Sequence, residues 1–107
     1  MIDEYCMIEI AFDDKEEATR TIKALLEEKL VSSCQLITGE STWLWHQELE
    51  SAVEYLLFVK TKKNLAPKIY NVVRKYHSYE TFVFAIIPIS STSRNYLAWI
   101  NIEVRGK

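Results

Sequence analysis

Glycine and proline are scarce, with 2 of each in 107 residues. That rules out low-complexity linkers and collagen-like repeats, and with only Gly39 and Gly106 no glycine-rich phosphate loop is possible. Cysteine is equally sparse. Cys6 and Cys34 form no spaced metal motif and no disulfide framework, so reduced thiols in a cytoplasmic protein are expected. A basic excess is missing too: 13 Lys and Arg against 15 Asp and Glu leave a net charge of −2. Nucleic acid, which selects basic surfaces, is not an expected partner. No apolar run approaches the roughly 18 residues of a spanning helix, so no membrane partner is expected. The first residues, MIDEYCMIEIAFDD, carry neither the basic start nor the small-residue cleavage site of a signal peptide.

What remains is a globular balance, 49% hydrophobic and 26% charged, in a length suited to one domain spanning 1–107. Alternation over Tyr5–Phe12 predicts a strand. Asp14 offers an N-cap, with Glu17 at capping-box spacing, for a helix from Asp14 to about Lys29. Its apolar face is Ala18, Ile22, Leu25 and Leu26. Strands over Ser33–Trp45 and Ala52–Thr61 follow, joined by the polar connector His46–Ser51. Gly39 inside the first of them suggests a bulge or kink. Asn64 is the expected cap of a second helix with Pro67 in its first turn. A fourth strand, Phe82–Ile89, holds a Pro88 that suits an edge or a strand end. Ser93 caps a third helix carrying Tyr96, Leu97, Ile100 and Val104.

The order βαββαβ plus a terminal helix, with right-handed crossovers, predicts an α+β ferredoxin-like sandwich with both crossover helices on one side of the sheet. The other sheet face then has no cover. Yet Val53, Tyr55, Leu57 and Val59 alternate with apolar Leu56 and Phe58, so both faces of that strand are apolar. A homo-oligomer of closed symmetry is the physical expectation.

The segment HSYETFVFAIIPISSTSRNYLAWI, residues 77–100, resembles the CutA family of divalent-ion tolerance proteins. It carries the family's His-Pro-Tyr-Glu-like motif as His77, Tyr79 and Glu80, then Pro88, then Tyr96, Leu97 and Trp99. Upstream, EEKLVSSCQLITG is similar to the family's cysteine-bearing stretch, Trp45 matches the Trp before the hairpin, and Leu57–Thr61 resembles the run ending Lys-Thr. The sequence departs from the pattern at several points. Ser33 occupies the cysteine position, which puts Cys34 on the opposite strand face. Ser78 replaces the first Pro, Phe82 and Val83 replace a Pro-Glu pair, and Gln47 replaces the hairpin Gly. The resemblance implies a homotrimer of ferredoxin-like subunits and a role in tolerance of copper and other divalent cations, with weak metal binding in some members.

Two constellations follow. The metal set is His77, Glu80 and Cys34, since imidazole and thiolate suit copper or a similar divalent cation; no motif requires a resident cofactor. The plainer alternative makes His77 a hydrogen-bonded turn anchor and Cys34 a small buried hydrophobe. The second set, Tyr79, Trp45 and Lys60, would line a small-ligand cleft at a subunit seam. Its plainer alternative is a solvated strand end at Lys60, Lys62 and Lys63, with Trp43 and Trp45 in an intersubunit core. No nucleophile-elbow pattern is present, and catalysis is not expected. The competing functional reading is a trimeric small-ligand or partner-binding regulatory module without a metal role.

Overall fold

Period-two alternation sets the first strand. In the computed structural model, which describes residues 4–105, β1 spans Tyr5–Phe12, and Cys6, Ile8, Ile10 and Phe12 are fully buried on one of its faces. The other residues of the predicted 1–107 domain, Gly106 among them, lie outside the described residues.

Helix α1, Lys15–Glu27, starts as expected: the Asp14 carboxylate accepts the Glu16 N–H at 3.0 Å. The capping box is not closed. Glu17 instead accepts the backbone N–H of Ser78 at 3.1 Å, tying the helix to a distant loop. The buried stripe is Ala18, Thr21 and Leu25, and Leu26 faces outward. Thr21 fits inside because its hydroxyl donates to the Glu17 carbonyl at 2.8 Å. The helix ends before Lys29, which adopts φ 57°. Leu30 N–H bonds to the Leu25 carbonyl and Lys29 N–H to the Leu26 carbonyl, both at 3.0 Å, a Schellman closure with Leu25 and Leu30 fully buried.

Strand β2 spans Ser33–Trp45 as expected, and β3 spans Glu48–Lys62, starting earlier than the predicted Ala52. The loop is only His46–Gln47, with φ 50° and 68°. Two left-handed residues give the turn twist that strands tolerate, so Glu48–Ser51 stays in the ladder opposite Thr42–Trp45. Gly39 makes no bulge. It pairs with Glu54 in unbroken register, and a Cβ there would meet Leu56 Cδ1 at an ordinary 3.5 Å.

A 3-10 turn, Lys63–Leu65, precedes α2, Ala66–Tyr76. The N-cap of α2 is Leu65 rather than Asn64, and Pro67 sits in the first turn. Strand β4 is shorter than predicted, Phe84–Pro88, with Pro88 ending an edge strand opposite Cys6. Helix α3, Arg94–Glu103, is capped by Ser93, whose hydroxyl accepts the Tyr96 N–H at 3.2 Å.

The sheet order is β2-β3-β1-β4, all antiparallel, which is the ferredoxin-like arrangement. Leu57, Val59, Ile8 and Ile10 join Ala18, Leu25, Ile69, Val73 and Ile100 in one buried cluster. The opposite sheet face, with Met7, Glu9, Ala11, Leu56 and Phe58, contributes nothing to that cluster. Beyond the helices the β2–β3 hairpin runs on as an arm, giving the molecule extents of 43 × 26 × 21 Å.

Candidate functional site

The loop from α2 to β4 is fastened by His77. Its backbone N–H closes α2 on the Val73 carbonyl at 2.9 Å, and its ring stacks between Phe12 and Phe82 at 4.5 and 4.4 Å. Nε2 lies 2.6 Å from the Ala11 carbonyl, and Nδ1 lies 3.1 Å from the Tyr79 N–H. A carbonyl only accepts and an amide N–H only donates. The imidazole is therefore neutral, with its proton on Nε2 and its Nδ1 lone pair accepting. Both nitrogens are used within the chain, His77 is buried at 6% exposure, and the turn-anchor alternative describes this geometry.

Two more contacts hold the same loop. Arg74 donates to the Tyr79 carbonyl at 3.0 Å and places its guanidinium 5.9 Å from the Phe82 ring centre. From α1, Glu17 holds the Ser78 N–H. The Tyr79 phenol is pushed above its ordinary pKa first by burial and then by Asp13, which also hydrogen-bonds it, and by Glu54 and Glu17.

Between this loop and the helix-free sheet face runs a groove of about 910 Å³. One wall carries Trp43 and Trp45, two residues apart and so on one face of β2, with Glu50, Glu54 and Leu56 of β3 beside them. Glu9 and Ala11 of β1 extend the wall, and Tyr79, Glu80 and Phe82 face them from the loop. Four glutamates line the groove, and among the described residues no Lys, Arg or His does.

Of the six residues singled out from the sequence, the structure gathers Trp45, Tyr79 and Glu80. It does not gather the other three. Cys34 pairs with Val59 on the helix-covered face, as the one-residue offset from Ser33 requires, and burial pushes its thiol up to about 12. His77 is buried behind the loop. His77, Glu80 and Cys34 therefore do not converge within one chain, and among the described residues no three His, Cys, Asp or Glu side chains form a metal-holding group. Lys60 pairs with Ser33 while Trp45 pairs with Glu48, twelve residues along the same strand, or roughly 40 Å. Lys60 thus lies at the far end of the sheet. Its neighbour Lys62 is buried, with Nζ 5.9 Å from the Tyr5 ring centre, rather than solvated. Glu9 and Glu54 were missed. The available signal was register: both fall on the alternate face of apolar strands, where a charge interrupts the pattern.

An antiparallel α+β sandwich of ferredoxin-like topology, with an overlong hairpin arm and a groove on its helix-free face, defines the structural class. Residues 6–103 match the family model of the CutA1 divalent ion tolerance protein, and the chain belongs to that family. The divalent-cation tolerance protein CutA of Thermus thermophilus is 37% identical over 79% of this chain and 84% of its own length. The protein of the same name from Archaeoglobus fulgidus is 34% identical over 83% and 87%. The crystal structure of CutA1 from the psychrotrophic bacterium Shewanella sp. SIB1 superposes with a TM-score of 0.92 at 27% identity, covering 99% of this chain and 100% of the other.

Proposed function

We propose that the protein acts in divalent-cation tolerance, as its relatives are named, as a cytoplasmic homotrimer that holds copper or a similar ion weakly at subunit seams and performs no catalysis. The observation that carries this reading is the family match across residues 6–103. Self-association is supported by the arm. Leu44, Leu49 and Val53, on one of its sides, are 71, 74 and 53% exposed, and Trp45 on the other is 53% exposed. Apolar surface on both sides of one ribbon favours burial against further copies, and closed symmetry satisfies every copy equally. For the ion, Glu80 is the accessible donor in the groove. Cys34 would have to ionise against its burial, and His77 would have to surrender a hydrogen bond.

Calorimetric titration of Cu²⁺ and Zn²⁺ into the reduced protein tests the metal role. The expected affinity is micromolar at best, about −8 kcal/mol. Glu80→Gln should weaken it, and a wild-type isotherm without saturable heat, or one that Glu80→Gln leaves unchanged, removes the site. A second reading, a trimeric regulatory module taking a small ligand without metal, is favoured by the groove itself, whose aromatic walls exceed the needs of a single ion.

A further inference from the structure

We propose that the outer face of α2 docks an acidic protein segment, a stretch of another chain rich in Asp and Glu. This face lies on the helix side of the sheet, away from the arm and the helix-free face that further copies cover. The inference does not depend on the divalent-cation role.

Charge is sorted along the chain. Residues 33–59 carry four Glu and no Lys or Arg, whereas residues 60–79 carry six Lys and Arg and no Asp or Glu. Three of the six are engaged or turned elsewhere. Lys60 faces the helix-free side beside Met7, Lys62 is buried over the Tyr5 ring, and Arg74 holds the Tyr79 carbonyl and the Phe82 ring. Lys63, Lys68 and Lys75 are exposed, and among the described residues no carboxylate forms an ion pair with them. Lys68 and Lys75 are two helical turns apart and so share one side of α2, roughly 10 Å from each other along its axis. Asn71 is exposed between them, and Ile69, Val72 and Val73 are buried on the opposite side.

The fold does not account for these lysines. Helix α1 shows the ordinary solvated pattern. Its Lys15, Arg20 and Lys23 mix with Glu16, Glu17 and Glu27, the acids of its first turn suit the helix dipole, and Glu16 lies 3.9 Å from Arg20. Helix α2 reverses that pattern. Its first turn holds no acid, its N-cap offers no side-chain acceptor, and Lys63 and Lys68 stand at the end where the dipole is positive. Only Lys75, near the C-terminal end, is placed as the dipole favours. Positive charge kept against the dipole fits an anionic partner outside the chain.

The kind of partner follows from the surroundings. The apolar side of α2 is already spent on the core, so this helix has none left to insert into a lipid surface. The net charge of −2 and the acidic stretch beside the lysines disfavour nucleic acid. Carboxylates spaced along a peptide chain match ammonium groups spaced along a helix.

A fluorescein-labelled oligoglutamate peptide is the probe, titrated with the full-length protein and followed by anisotropy at low and physiological salt. Saturable binding that weakens as salt rises is expected. Lys68→Glu and Lys75→Glu, made separately, should each raise the dissociation constant at least fivefold. Lys23→Glu, the same charge change on α1, should alter it less than twofold. Thermal unfolding separates docking from a structural role: Lys68→Glu puts an acid in the first turn of α2 and should hold or raise the midpoint. Should that variant fail to fold, Lys75→Glu carries the comparison. Absence of saturation, equal weakening by Lys23→Glu, or a lowered midpoint in Lys68→Glu overturns the proposal. So does tighter binding to phosphatidylserine vesicles or to duplex DNA than to the peptide.

Discussion

The two halves of β3 belong to one unbroken ladder and live in different surroundings. From Tyr55 to Lys60 it lies between β2 and β1, the β1 pairing runs on to Lys62, and Leu57 and Val59 are fully buried beneath the helices. From Glu48 to Glu54 only β2 pairs with it, and no residue of that half is buried. Both halves carry apolar side chains. Hydrogen-bonded pairing therefore continues where burial stops, and the outer half keeps an apolar pattern that one chain does not use. Strand formation follows local alternation and turn geometry, while stability follows what lies on either side of the strand.

The largest test of this contrast is a matched pair of truncations. Leu57→Ala should cost about 2–5 kcal/mol in denaturant unfolding, independent of protein concentration. Leu49→Ala should change the stability of the isolated chain by no more than about 0.5 kcal/mol and act instead on the concentration at which chains associate. Equal, concentration-independent losses would erase the distinction between the two halves.

Next in size is the loop anchor, which joins the inner half to the groove. His77→Phe keeps a ring between Phe12 and Phe82 but leaves the Ala11 carbonyl without its donor. A cost of about 1–3 kcal/mol is expected in thermal unfolding. No loss of stability would show that the bond to Ala11 is replaceable.

Smaller effects come from the backbone. Lys29 and Gln47 hold φ 57° and 68°, a region that costs a side chain about 1–2 kcal/mol. Lys29→Gly and Gln47→Gly should each stabilise by up to about 1 kcal/mol, less what glycine loses in chain entropy. The first gain should appear in the isolated chain. The second tightens the tip of the arm and should appear most clearly in the assembled protein. Differential scanning calorimetry at two concentrations separates them.

The smallest effect is on pH dependence. Burial raises Cys6 to about 11 and Cys34 to about 12, so the folded chain favours neutral thiols more than the unfolded chain does. That contribution is intact below the ordinary thiol pKa and is lost as pH climbs from about 9 towards 11–12. Denaturant midpoints should fall over this range, and Cys34→Ser should flatten part of the fall. A midpoint that stays level from pH 8 to 11 would contradict the burial assigned to both thiols.

Much of this fold was legible beforehand because alternation, caps and turn residues act locally. Tyr5–Phe12 and Ser33–Trp45 agree with their predicted bounds, and Asp14 and Ser93 cap as their spacing suggests. Thr21 is absent from the predicted apolar face because its polarity is cancelled by one intrahelical bond, which composition does not reveal. The hairpin was misread because Glu48–Ser51 is polar, and polarity resembles a loop when both strand faces meet water. At the site, Trp45, Tyr79 and Glu80 were legible together through the family resemblance. Cys34 and His77 were not separable from them, because which face a strand residue takes and which partners a loop histidine finds depend on register and on contacts distant in sequence.

The central claim is that the arm's apolar surface exists to be covered by further copies of the chain. Sedimentation equilibrium of the full-length protein at micromolar concentration tests it directly. The account predicts one species at three times the 12.6 kDa chain mass, shifting toward lighter species in Leu49→Ala. A species of single-chain mass, unchanged by that substitution, would contradict it.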